Sequence, residues 1–87
     1  MDNKDIYTVL TVLNQDVREG VKEGDIIMLQ HLNSLGLNTR EARIILNQIA
    51  EIGYLQYEEK SVDEHGFNKG ECWRITSNGI KFIKEFQ

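Results

Sequence analysis

Cys72, His31 and His65 are the side chains best suited to a transition metal, and Cys72 is the one thiol available for redox or nucleophilic chemistry. Together they fall short of a four-ligand zinc site, and a single cysteine allows no internal disulfide. Arg74 stands two residues from Cys72, which in a strand places both on one face and could lower the thiol pKa, as in a redox sensor. An inert small side chain is the simpler reading. The acid run Glu58, Glu59, Asp63 and Glu64 lacks the alternating oxygen ligands and closing glutamate of a calcium loop, so a solvated hairpin fits it better. No Ser-His-Asp, Cys-His or phosphate-binding glycine pattern is present, and 87 residues leave little concavity for a substrate. The sequence therefore predicts no enzyme, no cofactor and no metal.

With 40% apolar and 28% charged residues the chain has enough apolar surface to fold, and its length suits one domain over residues 1–87. The formal charge of −4 argues against a non-specific nucleic-acid binder, which would be strongly basic. The longest unbroken apolar run, Ile26 to Leu29, is far below the roughly 20 residues of a membrane span. Met-Asp-Asn-Lys-Asp lacks the basic-then-apolar pattern of a signal peptide, so a cytoplasmic protein is expected.

Seven glycines and no proline punctuate the chain. A first helix is predicted from Asp2 to a stop at Gly20, with Ile6, Val9, Leu10, Leu13 and Val17 along one face. A second is predicted to open at Asp25 and run through Ile26, Ile27, Met28, Leu29, Leu32 and Leu35 to Gly36. The third has Asn38 and Glu41 spaced as a capping box and Gly53 as its stop. Ala42, Ile45, Leu46, Ile49 and Ile52 would face inward and Arg40, Arg43, Asn47, Gln48 and Glu51 outward. The turn joining these two helices, Gly36 to Asn38, has the length found in a helix-turn-helix. After Gly53 the period changes to two, predicting a hairpin over about 54–76. Leu55 and Tyr57 lie on one face of the first strand and Tyr54, Gln56, Glu58 and Lys60 on the other; in the return strand Trp73 and Ile75 alternate with Cys72, Arg74 and Thr76, and Tyr57 and Trp73 fall on the inward side. Thr76 or Ser77 would cap a last helix over about 77–87, with Ile80, Ile83 and Phe86 inward and Lys81 and Lys84 outward.

The segments Ile49-Ala50-Glu51-Ile52-Gly53-Tyr54-Leu55 and Trp73-Arg74-Ile75-Thr76-Ser77-Asn78-Gly79-Ile80-Lys81-Phe82-Ile83 resemble those flanking the wing in MarR- and PadR-type transcriptional regulators. In that family a helix closes on Leu-x-x-x-Gly-Tyr/Leu-Leu/Ile and a strand on Tyr-x-Leu-Thr-x-x-Gly. The resemblance spans about Ile6 to Phe86. It implies an α+β winged helix-turn-helix, ordered helix, helix, helix, hairpin, helix, in which Gly79 lets the last helix pack closely.

The resemblance further implies sequence-directed binding of double-stranded DNA, with the third helix, about 39–52, in the major groove. Arg40 and Arg43 would then meet guanine, and Thr39, Asn47 and Gln48 phosphates or adenine. Lys69, Arg74, Lys81 and Lys84 would be secondary phosphate contacts, and the first or last helix could form a homodimer interface. Against this stands a solvated helix face on which Arg43 pairs with Asn47. Tyr57 and Trp73 fit core packing better than base stacking, and Tyr54 stays open between the two. The third helix sums to zero charge. The hairpin carries Lys60 and Lys69 against Glu58, Glu59, Asp63, Glu64 and Glu71, a sum of −3, which is unfavourable beside phosphates. An alternative function follows from that charge: a protein-interaction module whose acidic wing, through Glu58, Glu59, Asp63 and Glu64, binds a basic partner.

Overall fold

A computed structural model describes residues 1–13, 20–58, 65 and 70–86. In chain order the elements are α1 (Asn3–Leu10), β1 (Ile26–Met28), a 3-10 helix (Leu29–Leu35), α2 (Thr39–Ile52), β2 (Leu55–Glu58), β3 (Cys72–Ile75) and α3 (Ser77–Phe86). The chain is thus a small α+β domain. Its three strands form one antiparallel sheet in the order β1-β3-β2.

α2 begins and ends where its local chemistry requires. Asn38 Oδ1 accepts the Glu41 N–H at 2.8 Å, and the Asn38 N–H donates to Glu41 Oε1 at 3.2 Å, so two otherwise free amides of the first turn are satisfied reciprocally. At the other end Gly53 takes φ +103°, a left-handed conformation that lets its N–H reach back to Ala50. Ala42, Leu46 and Ile49 are fully buried. Ile52, expected inward, is instead 51% exposed. At 3.6 residues per turn it points roughly 90° away from the buried line of the helix.

The second expected helix is not one helix. Asp25 does not cap it; its carboxylate accepts the Lys22 N–H at 2.8 Å in a turn, and its backbone carbonyl accepts the Ile75 N–H at 2.9 Å. Ile26, Ile27 and Met28 then pair with Arg74, Trp73 and Cys72. The β-branched Ile26 and Ile27 suit the extended conformation, and β3 offers them an open edge. The helical part starts after Met28, whose N–H donates to His31 Nδ1 at 2.9 Å, and closes at Gly36. His31 therefore has a local capping role.

α1 is capped by Asp2, which accepts the Asp5 N–H at 2.9 Å, but it ends at Leu10 rather than running on to Gly20. Two successive β-branched residues, Thr11 and Val12, follow, and the Thr11 N–H and hydroxyl both donate to the Tyr7 carbonyl. Val17, placed on its face, lies outside the described residues.

One face of the sheet carries Ile27, Leu55, Trp73 and Ile75 into a core shared with Ile6, Val9, Leu10 and Leu32 from α1 and the 3-10 helix, the buried line of α2, and Ile83 from α3. Tyr57 shares this face but lies at its rim, 41% exposed, with its ring 5.2 Å from that of Trp73. Tyr54 stacks on Phe82 and Phe86 on Tyr7, so these aromatics fasten α3 to the body of the domain. Phe86, expected to face inward, is 40% exposed and stacks on Tyr7 of α1 with 4.7 Å between ring centroids. Thr76 caps α3 by accepting the Gly79 N–H at 3.1 Å, and its hydroxyl donates to the Gly53 carbonyl at 2.7 Å. A Cβ on Gly79 would stand 2.5 Å from the Tyr54 carbonyl oxygen, so only glycine permits this approach.

Candidate nucleic-acid interface

The capping box at Asn38 and the buried line Ala42, Leu46, Ile49 together fix which side of α2 faces outward. Thr39, Arg40, Arg43, Asn47 and Gln48 are all exposed there, as the helical period requires. Arg40 stands in the first turn, where the helix dipole disfavours a cation, and it makes no ion pair among the described residues.

Two of these side chains are tied to the hairpin. Arg43 Nε donates to Glu71 Oε2 at 2.9 Å, and the other oxygen of Glu71 accepts the Tyr57 hydroxyl at 3.3 Å. Arg43 thus pairs with Glu71 and not with Asn47. Asn47 Oδ1 instead accepts the indole N–H of the buried Trp73 at 3.1 Å. Arg43 is 44% exposed in its side chain, so the pair is open to solvent and to competition from an anion.

Arg74 belongs to a different surface. By strand alternation it points away from Trp73, to the outer face of the sheet, where its Nε and Nη2 meet the two oxygens of Glu58 at 2.6 and 3.1 Å and its Nη1 donates to the Gly24 carbonyl at 3.1 Å. These hydrogen bonds, reinforced by the guanidinium charge, hold the Glu58 carboxyl below the usual carboxylate range, and Glu58 in turn raises Arg74. The Cys72 thiol contacts Glu58 at 3.8 Å and is buried, so the arginine that would activate it is engaged by a carboxylate. Lys81 and Lys84 are exposed on α3. Lys69, with Glu59, Lys60, Asp63 and Glu64, lies outside the described residues.

One residue of this surface and two contacts behind it do not follow from the sequence. Ile44 is 50% exposed in the outward face, one turn from both Arg40 and Gln48, and offers an apolar contact among polar ones. Glu71 and Trp73 fasten Arg43 and Asn47. Their two-residue separation already places them on one side of a strand, but it does not say that α2 lies across from that side. No group of three or more metal-ligating side chains gathers among the described residues. An open groove of 370 Å³ between α1, the 3-10 helix and α2 is lined mainly by Met1, Val9, Leu35, Leu37 and Ile45, with Asp5 its one ionisable side chain. Among the described residues no helix is long and apolar enough to cross a membrane. No protein-family model, curated protein or solved structure matches the chain.

Proposed function

We propose that this chain is a winged-helix protein that binds double-stranded DNA, a small cytoplasmic transcriptional regulator without catalytic activity. The reading rests on one observation: α2 follows a three-residue turn and presents Thr39, Arg40, Arg43, Asn47 and Gln48 on the side away from the core. A helix held in that way can enter a major groove with its first two turns, where arginine can make paired hydrogen bonds to guanine. The β2–β3 hairpin, next to α2, takes the part of the wing, and a homodimer would bring two such helices to a palindromic site. The Arg43–Glu71 pair is compatible with this, since Arg43 is half-exposed and a phosphate or guanine edge can take the place of the Glu71 carboxylate, which keeps its hydrogen bond from Tyr57.

The test is a fluorescence-polarisation titration with mixed-sequence duplex at two salt concentrations. Binding should be measurable at about 50 mM salt, weaken as salt rises, and fall at least about tenfold in the Arg40→Ala, Arg43→Ala double variant. An absence of binding at low salt, or indifference to both arginines, overturns the proposal.

A second reading draws on the outward side of α2 together with the outer face of the sheet. Arg43 and Arg74 are both held by glutamates of the hairpin, while Ile44 and Ile52 are exposed, a mixture that also suits a protein partner. Because Glu58 and Glu71 are already paired with the domain's own arginines, an acidic wing that grips a basic protein would rely on Glu59, Asp63 and Glu64. Neutralising those three should then abolish capture of that partner.

A further inference from the structure

Trp73 and Asn47 meet across the boundary between sheet and helix, and the chemistry of the two groups fixes the sense of their contact. An indole N–H can only donate, whereas an amide has an accepting end and a donating end. Trp73 is fully buried, and its Nε1 lies 3.1 Å from Asn47 Oδ1. Turning the amide over would set two donors against each other and leave a buried N–H without an acceptor, so the oxygen is held toward the sheet. Asn47 is nevertheless an exposed residue on the outward side of α2, and the end left to meet a ligand is its NH₂.

We infer that Trp73 is a specificity-setting residue: it makes Asn47 a donor-only contact, directed to a hydrogen-bond acceptor on DNA and not to adenine. This rests on the DNA-binding reading. An asparagine that reads adenine gives one hydrogen bond to N7 and takes another from N6, and for this the oxygen and nitrogen must point at the same base edge. The Trp73 bond turns the oxygen toward the sheet and occupies one of its two lone pairs, so the two ends of the amide do not address one base edge together. The acceptors that remain are the N7 and O6 of guanine or a phosphate oxygen.

Selection of binding sites from a random duplex library, run in parallel on the wild-type chain, Asn47→Ala and Trp73→Phe, decides the matter. Failure of the wild-type chain to select any duplex at about 50 mM salt overturns the DNA reading, and the inference with it, before any variant is considered. If the wild type binds, Asn47→Ala should lose either a guanine preference at one position, placing the contact on a base, or affinity uniformly across sequences, placing it on a phosphate. Loss of an adenine preference instead overturns the inference. Trp73→Phe, which keeps a ring but frees the amide to rotate, should gain adenine tolerance at or beside that position; a folded variant with an unchanged profile overturns it. Should Trp73→Phe fail to fold, the Asn47→Ala selection and the indole exchange decide alone. Indole N–H exchange reads the contact without DNA. It should be faster in Asn47→Ala than in wild type, and equal rates overturn the assignment.

Discussion

The two faces of β3 are built on different physics. Toward the helices, Trp73 and Ile75 are buried beside Ile27 and Leu55, and the only polar side-chain atom of that group, the indole nitrogen, has a partner. Toward solvent, Arg74 is gripped by Glu58 and by the Gly24 carbonyl, yet roughly 42% of its side chain remains exposed. Burial stabilises by removing apolar surface from water and acts at any pH, whereas a half-exposed ion pair gains little and depends on charge. The inner face thus carries most of the stability. It also carries the contact that orients Asn47, so this side of the strand serves both the fold and the proposed interface.

The sharpest way to break that contrast is Trp73→Ala, which should cost about 3–5 kcal/mol in urea denaturation because it empties the largest buried site. A loss below about 1 kcal/mol would mean the inner face is not where the stability lies. Gly79→Ala comes next: the new methyl meets the Tyr54 carbonyl, and about 1–3 kcal/mol should be lost through displacement of α3. Asn38→Ala, remote from both faces, should cost about 1 kcal/mol through loss of the α2 cap while leaving the fluorescence of Trp73 unchanged. Glu58→Gln probes the outer face and should have the smallest effect near neutral pH. Its signature is pH dependence. The lowered Glu58 pKa means that the pair's contribution is present above the ordinary carboxylate value of about 4.3 and is lost as pH falls through the lowered value. Arg74 stays protonated throughout and adds no slope. The melting-temperature gap between wild type and Glu58→Gln should therefore close as pH is taken from about 6 to about 3; a constant gap would assign the effect to packing.

What could be read in advance divides along the same lines. The limits of α2 and the cap of α3 are coded by neighbours three residues apart, Asn38 with Glu41 and Thr76 with Gly79, and they need no distant partner. The outward position of Thr39, Arg40, Arg43, Asn47 and Gln48 follows from helical period alone. The segment from Ile26 to Leu29 is different, because a short apolar run suits a buried helix and a strand equally. The edge of β3, more than forty residues away, decides it. The attachments of Arg43 and Asn47 were hidden for the same reason: they depend on how the hairpin lies against α2, and no local spacing encodes that.

The central place of β3 has a consequence in time. Both outer strands hydrogen-bond to it and not to each other, so β1 has no partner until the chain has been synthesised through Ile75. At usual translation rates that interval is on the order of several seconds. During it, α2 can form from its own caps, while Ile26, Ile27 and Met28 await a strand that does not yet exist. Sheet closure is then a late event with a large loop to close, and replacing β1 residues should slow folding less than it speeds unfolding.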